Sequence, residues 1–237
     1  MNPYLSLLIP AYNEEKRIGK TLQRIREYLS SQNYTYEVLV VVDGARDGTA
    51  EVVKNIARDW PQLKIIDNKT NHGKGFVVRQ GMLAAAGEYV VFTDADNSTD
   101  VGHLEKLLAK FKEGFDVVIG SRDYRDVVGA TQAIPQSAFK RLLGDLGNLF
   151  IQLLVVPGIW DTQAGFKGFS AAAAKKIFSK VTVNRWGFDI EVLALARHFK
   201  FKIGIIPLYW ENDAESHVKL SAYFGVLRDT VKVRLNL

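Results

Sequence analysis

Two aspartates separated by one residue, in the segment Asp94-Ala95-Asp96, carry the clearest chemical signal in this sequence. They follow the short apolar run Tyr89–Thr93, whose β-branched and aromatic residues are typical of a buried strand. Open α/β sheets bind ligands beyond the carboxyl ends of their strands, which is where this pair would lie. Two ionised carboxylates there repel each other, and a hard divalent cation that binds a diphosphate would relieve the repulsion. The pair therefore predicts a metal site, and a helix cap beside a solvated acid is the alternative.

Three other loops follow predicted strands with polar residues and would lie at the same edge. Pro10 lacks an N–H and would end the first strand, and Asn13 would cap the next helix. In the second loop Asp43 is either a turn residue or an acceptor for a uracil N–H. The third loop, Asn71–Gly75, combines glycines with a helix N-terminus, where Lys74 would add a positive charge for a phosphate. Each loop has an ordinary structural explanation, but their convergence favours a ligand site.

Alternating strand and helix patterns would position these loops. The predicted strands are Tyr4–Ile9, Tyr36–Val42, Lys64–Ile66, Tyr89–Thr93 and Val117–Gly120. The predicted helices between them are Glu15–Ser30, Thr49–Arg58, Lys74–Ala86 and Val101–Phe111. Strands that are almost continuously apolar are typical of a parallel sheet covered by helices on both faces, so we expect an α/β fold.

The alternation becomes irregular after about Arg122. We predict a loop at Gly129–Pro135, strands at Gly165–Ser170 and Lys202–Pro207, and helices at Phe139–Val156, Ala171–Phe178, Phe188–His198 and Leu220–Leu235. The chain has no internal repeat or linker. We therefore expect a single domain, residues 1–237, with a regular half at 1–122, an elaborated half at 123–219 and an amphipathic helix at 220–237.

Composition excludes several classes of protein. An apolar fraction of 47% among 237 residues supports a sizeable core. The net charge of +5 favours an anionic partner, but no run of like charges predicts nucleic-acid binding. The absence of cysteine excludes disulfides and thiolate chemistry. With no signal peptide and no run of about 20 apolar residues, we expect a cytoplasmic protein, soluble or bound to a membrane surface.

Taken together, the motifs resemble those of family 2 glycosyltransferases, which have the Rossmann-like GT-A fold with a mixed, mainly parallel sheet. The matching segments, in the family's order, are Pro10–Glu15, Asp43–Thr49, Asn71–Gly75, Asp94–Asp96, Gly120–Arg122, Asp161–Lys167, Trp186–Glu191 and Trp210–Lys219. Within the family, the chain is most similar to the branch with polyprenyl-phosphate acceptors, in particular the dolichyl-phosphate β-glucosyltransferase group.

The resemblance implies inverting transfer of a hexose, in this group glucose from UDP-glucose, to a polyprenyl or dolichyl phosphate. The donor would be bound by residues 1–122 and the acceptor by residues 123–219. The nucleotide-sugar residues would be Pro10, Ala11, Tyr12, Glu14, Asp43, Gly44, Lys74, Asp94, Ala95 and Asp96. Asp94 and Asp96 would also hold Mg²⁺ or Mn²⁺.

The resemblance also places residues at the acceptor. Asp161, Gln163 and Asp189 are the catalytic candidates, with Asp161 as base or orienting group. Turn and helix-cap roles are the alternatives for Asp161 and Asp189, and Trp186 and Phe188 are expected to be packing residues. The acceptor phosphate would be bound by Arg122, Ser216 and Lys219.

A lipid acceptor implies peripheral binding at the cytoplasmic face of a membrane, for which the basic amphipathic helix at 220–237 is suited. The helix packing on its own domain is the alternative. Two other functions stay open: a transferase with a soluble sugar acceptor, and a catalytically silent module that binds nucleotide sugars. A nucleic-acid partner is not expected.

Overall fold

The structure, a computed structural model, describes residues 2–132, 138–210 and 220–237. The strands are β1 (Leu5–Ala11), β2 (Tyr36–Asp43), β3 (Leu63–Asn68), β4 (Tyr89–Thr93), β5 (Val117–Ser121), β6 (Thr131–Gln132), β7 (Phe166–Ser170), β8 (Ile203–Pro207) and β9 (Tyr209–Trp210). The helices are α1 (Ile18–Ser30), α2 (Thr49–Ala57), α3 (Lys74–Ala84), α4 (His103–Lys112), α5 (Ala138–Leu154), α6 (Ala171–Phe178), α7 (Phe188–His198) and α8 (Leu220–Asn236).

The main sheet has the strand order β3-β2-β1-β4-β7-β5-β8. β7 is antiparallel to both of its neighbours, β4 and β5, whereas the other pairs in this sheet are parallel. β6 and β9 form a separate parallel pair. The mixed, mainly parallel sheet predicted from the sequence is therefore confirmed.

The core lies in two layers because successive residues of a strand point to opposite faces of the sheet. In β1, Leu7 and Ile9 belong to the layer that includes apolar residues of α1, α2 and α4. Leu8, between them, belongs to the layer that includes residues of α3, α6 and α7. A strand buried on both faces is apolar at almost every position, which explains why an alternation of apolar and polar residues is missing from β1 and β2. The polar exceptions are Ser6, Glu37 and Asp43.

The first strand is longer than predicted. Pro10 does not end β1, which continues to Ala11 with Pro10 paired with Val41 of β2. The pairing of β1 with β4 covers only Leu5–Leu8, so Pro10 lies beyond that ladder and its missing N–H does not interrupt it. The expectation was wrong because only β2 pairs with β1 at this point, and a proline is tolerated where the other side of its strand is unpaired.

Asn13 does not cap α1, which begins at Ile18, three residues later than predicted. Arg17 precedes the helix, and no side chain caps it. Asn13 instead adopts a positive φ of 56°, a conformation that asparagine tolerates better than most residues, and its Oδ1 accepts a hydrogen bond from the Arg46 N–H at 2.9 Å. Asn13 therefore ties the first loop at the sheet edge to the second.

The second half contains two short strands, β6 and β9, that were not predicted. The segment Gly129–Pro135 is not entirely a loop, because Thr131 and Gln132 form β6 and pair with β9. α7 and α5 both pack against α8. Among the residues that the structure describes, no helix is long and apolar enough to cross a bilayer.

Candidate active site

The Asp94–Asp96 segment leaves β4 at the carboxyl edge of the sheet. The Asp94 N–H donates to the Gly165 carbonyl at 3.2 Å, and Thr21 Oγ1 donates to the Ala95 carbonyl at 2.6 Å. These bonds hold the segment between α1 and the residues that precede β7. The Asp94 side chain keeps 34% of its surface exposed. The acidic pair is therefore fixed in its backbone but accessible at its carboxylates.

Neither aspartate caps the next helix, which was the alternative explanation for the pair. α4 begins at His103, with Gly102 in the cap position and no capping side chain. Asp96 Oδ1 accepts a hydrogen bond from the Ser98 N–H at 2.9 Å, in a local turn. Helix capping therefore does not explain why two acids occur at this edge.

The pair fits a divalent cation that arrives with a diphosphate. Carboxylate oxygens are the ligands that Mg²⁺ and Mn²⁺ prefer, and Mg²⁺ is commonly held by one or two carboxylates plus phosphate oxygens and water. Within the described ranges, no group of three or more His, Asp or Glu side chains could hold a metal by itself. Gly165 keeps the space beside Asp94 open, because a Cβ at this position would lie 1.9 Å from Asp94 Oδ2.

Lys74, the first residue of α3, reaches the acidic pair. Its Nζ lies 2.6 Å from Asp94 Oδ1, and its side chain is mostly buried. Burial disfavours the ammonium form, but the charges of Asp94 and Asp189 outweigh burial and raise the pKa of Lys74. The lysine is therefore positively charged at neutral pH and bonded to one of the predicted metal ligands.

Trp186 also lies beside Lys74. The ammonium lies 5.5 Å from the centre of the Trp186 ring, a distance typical of a cation–π contact. Gln163 Nε2 donates to the Trp186 carbonyl at 3.2 Å, which places this catalytic candidate beside the same group of residues. We expected both Trp186 and Phe188 to be packing residues. Phe188 is fully buried, but Trp186 is 42% exposed at the site, so this expectation was wrong for Trp186.

The first loop places Glu14 near the acidic pair. Glu14 binds Arg17 through two contacts, Arg17 Nε at 2.8 Å and Nη2 at 2.9 Å. Burial raises the pKa of Glu14; Arg17 opposes this shift, while the charges of Asp96 and Asp94 add to it. In the same segment Pro10 and Ala11 are buried in β1, and Tyr12 is 42% exposed beyond its end.

Asp43 holds the loop that precedes α3. Its Oδ1 accepts from the His72 N–H, and its Oδ2 accepts from the Gly73 N–H and Asn71 Nδ2, at 2.8 to 2.9 Å. The neighbouring Gly44 has a φ of +62°, and a Cβ there would lie 2.4 Å from the backbone of Thr70. Both carboxylate oxygens of Asp43 are therefore engaged in fixing the start of α3.

Arg122 and Asp161 form an ion pair, joined by three hydrogen bonds, at the end of β5. Asp161 Oδ2 accepts from the Arg122 N–H at 2.9 Å and from Nε at 2.7 Å, and Oδ1 accepts from Nη2 at 2.8 Å. Burial raises the pKa of Asp161, but the adjacent guanidinium outweighs burial and lowers it below its ordinary value. Asp161 is therefore ionised and is held by an arginine that is itself a candidate ligand for phosphate.

Asp189 forms a second buried pair, with Lys167. Lys167 lies on β7 with no exposed surface, and its Nζ donates to Asp189 Oδ1 at 2.6 Å and to the Ala164 carbonyl. Burial raises the pKa of Asp189, although the charges of Lys167 and Lys74 oppose this shift. Gly187, not Asp189, occupies the cap position of α7. The alternative role of Asp189 as a helix cap is therefore wrong.

Sequence reasoning missed Lys167 and the position of Trp186 at the site. A lysine inside the short apolar strand Phe166–Ser170 was the available signal for Lys167, because such a residue needs a counter-ion when it is buried. Trp186 lies in a segment that matches the family, but nothing in the sequence indicated that its ring would be exposed beside Lys74. Two predicted acceptor ligands, Ser216 and Lys219, lie outside the described residues.

A mixed α/β sheet with an acidic pair and a lysine at the carboxyl edge of its strands defines a candidate nucleotide-sugar transferase. The sequence model described as Glycosyl transferase family 2 matches residues 6–178. The chain therefore belongs to glycosyltransferase family 2, and the resemblance drawn from its motifs is confirmed.

Curated relatives are similar over almost the whole chain. The dolichyl-phosphate beta-glucosyltransferase ALG5A of Trichomonas vaginalis is 35% identical over 98% of this chain and 73% of its own length. The dolichyl-phosphate beta-glucosyltransferase of Homo sapiens is 33% identical over 98% of this chain and 75% of its own length. The family and these relatives support a nucleotide-sugar glycosyltransferase.

Solved structures share the fold. Glucosyl-3-phosphoglycerate synthase from Mycobacterium tuberculosis, in complex with Mn²⁺, UDP and glucosyl-3-phosphoglycerate, has a TM-score of 0.72 at 16% identity, covering 99% of this chain and 79% of that one. Mannosyltransferase PcManGT from Pyrobaculum calidifontis, in complex with GDP-Man and Mn²⁺, has a TM-score of 0.63 at 18% identity, covering 100% and 64%. At such low identities these likenesses establish the GT-A fold alone.

Proposed function

We propose that this protein transfers glucose from UDP-glucose to a dolichyl or other polyprenyl phosphate, with inversion at the anomeric carbon and with Mg²⁺ or Mn²⁺. The observation that carries the proposal is similarity to dolichyl-phosphate beta-glucosyltransferases over 98% of the chain. The cluster of Asp94, Asp96, Lys74 and the Arg122–Asp161 pair at one sheet edge supports it, because a donor diphosphate and an acceptor phosphate both need positive charge nearby.

On the donor side, the chain's own residues bind and orient the nucleotide sugar. Asp94 and Asp96 would hold the cation, which supplies Lewis-acid stabilisation of charge on the leaving diphosphate. Lys74 adds a positive charge at the N-terminus of α3, where anions are already favoured. The nucleotide would lie along the strand ends and loops that carry Pro10, Ala11, Tyr12, Glu14, Asp43, Gly44 and Ala95.

Asp43 contributes by positioning the start of α3. Its three hydrogen bonds to residues 71–73 set the direction in which α3, and so Lys74, points. A direct bond to uracil would require Asp43 to share an oxygen that the loop already uses.

On the acceptor side, the nucleophile is a phosphate oxygen that is already anionic, so strong general-base catalysis is not needed. The lowered pKa of Asp161, which Arg122 causes against the effect of burial, makes this carboxylate a weak base. We infer that Asp161 holds the guanidinium of Arg122 in position, and that Arg122 orients the acceptor phosphate for in-line attack. Gln163 and Asp189 would line the space between donor and acceptor.

A lipid acceptor also requires contact with a membrane at its cytoplasmic face. α5 exposes Leu146, Leu149 and Leu153, which fall on one side of the helix by their spacing of three and four residues. α8, which packs against α5, exposes Val231 and Leu235. Exposed basic residues lie on the same helix: Arg228, Lys232 and Arg234. We propose that these two helices rest on the surface of an anionic bilayer.

An assay with UDP-glucose carrying a radioactive sugar tests the proposal. With Mn²⁺ present, label should pass to a polyprenyl phosphate and not to free sugars. Label on a soluble sugar alone would replace the lipid acceptor with a soluble one. Metal-dependent UDP binding without turnover on any acceptor would indicate a silent binding module.

Binding to vesicles tests the membrane part separately. Sedimentation with anionic liposomes at low salt, and release as the salt concentration rises, is the expected result, because salt screens the basic residues of α8. No sedimentation at low salt would contradict peripheral membrane binding.

A further inference from the structure

Lys74 occupies a position that a divalent cation would need. Its ammonium group is bonded directly to Oδ1 of Asp94, at 2.6 Å. An ammonium group and a divalent cation that share one carboxylate oxygen repel each other at close range. If Asp94 and Asp96 hold a cation, as the proposed function requires, the bond between Lys74 and Asp94 competes with that cation.

We infer that Lys74 is an exchangeable internal counter-ion, which pairs with Asp94 while the donor is absent and moves to the donor diphosphate when the nucleotide sugar binds. The inference rests on the proposed function and deepens it by setting an order of events. The protein without nucleotide would bind a divalent cation weakly, and the cation and nucleotide would bind together.

The surroundings of Lys74 allow its head group to move while its backbone stays fixed. Asp43 fixes the loop before α3 through three hydrogen bonds, so the start of the helix is rigid. At the other end of the side chain, the ring face of Trp186 offers a cation–π contact, which depends weakly on exact position. Asp189 also attracts the ammonium group. Lys74 therefore has favourable neighbours after it leaves Asp94.

The charges of the arriving donor make the exchange favourable. While the donor is absent, Lys74 offsets the negative charge of Asp94 beside Asp96. A nucleotide sugar that carries a divalent cation brings a positive replacement for Lys74 at Asp94. Its diphosphate also brings a new anionic partner for Lys74. At the end of the exchange both aspartates still have a cation beside them, and Lys74 still has an anion.

Direct measurement of Mn²⁺ binding by calorimetry tests the exchange without using catalysis. Lys74→Met removes the charge and keeps the length of the side chain, with Lys74→Gln as a second variant should the first not fold. Without nucleotide, either variant should bind Mn²⁺ roughly tenfold tighter than the wild type, because the competing charge-assisted bond is gone. With Mn²⁺ present, either variant should bind UDP more weakly, because the diphosphate loses its lysine.

Lys69→Met is the matched control. Lys69 also forms a lysine–aspartate pair, with Asp67 at 2.8 Å, but this lysine is highly exposed. The pair lies at β3, which β2 and β1 separate from β4 and the Asp94–Asp96 segment. The control should bind Mn²⁺ and UDP as the wild type does. Mn²⁺ affinity of the Lys74 variants that equals or falls below that of the wild type would overturn the exchange.

Asp96→Asn separates failure of this inference from failure of the proposed function. If this substitution removes metal-dependent UDP binding but the Lys74 variants bind Mn²⁺ no tighter, only the exchange is wrong. If Asp96→Asn leaves metal-dependent UDP binding unchanged, the cation is held elsewhere and both proposals are wrong.

Discussion

The ion pairs in the two halves of the molecule differ in the number of bonds that join the partners and in their exposure to solvent. In the first half, Lys74 meets Asp94 through one contact, and a third of the Asp94 side chain is open to solvent. In the second half, Arg122 meets Asp161 through three hydrogen bonds, and Lys167 and Asp189 are both buried. A singly bonded, accessible pair can exchange partners, whereas a buried pair with several bonds is part of the architecture.

This difference matches the chemistry proposed for each half. The donor and its cation must enter and leave in each cycle. The bonds that the donor-site residues make with one another should therefore cost little free energy to break. The residues that face the acceptor need fixed directions, because in-line attack depends on orientation. The following substitutions test the contrast, from the largest expected effect to the smallest.

Asp96→Ala should have the largest effect, a fall in glucosyl transfer on the order of 10³-fold, because it removes a proposed ligand of the cation that stabilises the leaving diphosphate. Initial rates with saturating Mn²⁺ measure it. Asp59→Ala, an exposed aspartate at the end of α2, is the control and should retain wild-type rates. Activity of Asp96→Ala within a few fold of the wild type would contradict the metal assignment.

The pair Lys167–Asp189 should show the strongest coupling in stability. Lys167→Met or Asp189→Asn alone leaves a buried charge without its counter-ion, which typically costs about 3–5 kcal/mol of unfolding free energy. The double substitution should cost clearly less than the sum of the two, because no such charge remains. Urea unfolding of the four proteins measures this. Additive losses would show that the two residues do not depend on each other.

Asp161→Asn and Asp94→Asn compare the two halves directly. The first substitution leaves the Arg122 guanidinium largely buried without its carboxylate, and we expect a loss of about 3 kcal/mol. The second breaks a single contact to a carboxylate that is a third exposed, and Lys74 keeps the nearby charges of Asp189 and Asp96, so we expect a loss of no more than about 1 kcal/mol. Unfolding in urea without Mn²⁺ or nucleotide measures both. Equal losses would remove the distinction between an exchangeable and a fixed pair.

The sequence predicted the bounds of elements in both halves, including α6 (Ala171–Phe178) and α7 (Phe188–His198), but not the direction of every strand. β4 has the predicted bounds, Tyr89–Thr93, because a short buried apolar run between polar turns has few alternative structures. The antiparallel direction of β7 could not be predicted, since the five residues Phe166–Ser170 carry no information about which strands lie beside them. The start of α1 was also misplaced, because Asn13 serves a contact with Arg46, distant in sequence, rather than the helix.

The site shows the same limit. The edge at which Asp43, Lys74 and Asp94 lie followed from their places after predicted strands and from the rule that ligands bind beyond the carboxyl ends of strands. Their partners did not follow, because each bond joins segments far apart in the chain: Lys74 with Asp94 and Asp43 with residues 71–73. The sequence pattern can therefore place residues at one edge of the sheet. Only the folded structure shows which carboxylate is accessible to a ligand and which already accepts hydrogen bonds from the protein.

The smallest expected effect is the pH dependence of the fixed pair. Arg122 lowers the pKa of Asp161 in the folded protein, against the effect of burial, below its value in the unfolded chain. The stabilisation that follows is present above the unfolded pKa of about 3.9, and it is lost as pH falls through the lower, folded pKa. Asp161→Asn has no such group, so its unfolding free energy should decline less steeply than that of the wild type below about pH 4. Urea unfolding from about pH 6 downwards measures the two slopes, and Asp59→Asn serves as the exposed control. Identical slopes for wild type and Asp161→Asn would mean that Arg122 does not hold Asp161 ionised, and the second half would then lack the fixed charge pair on which its contrast with the first depends.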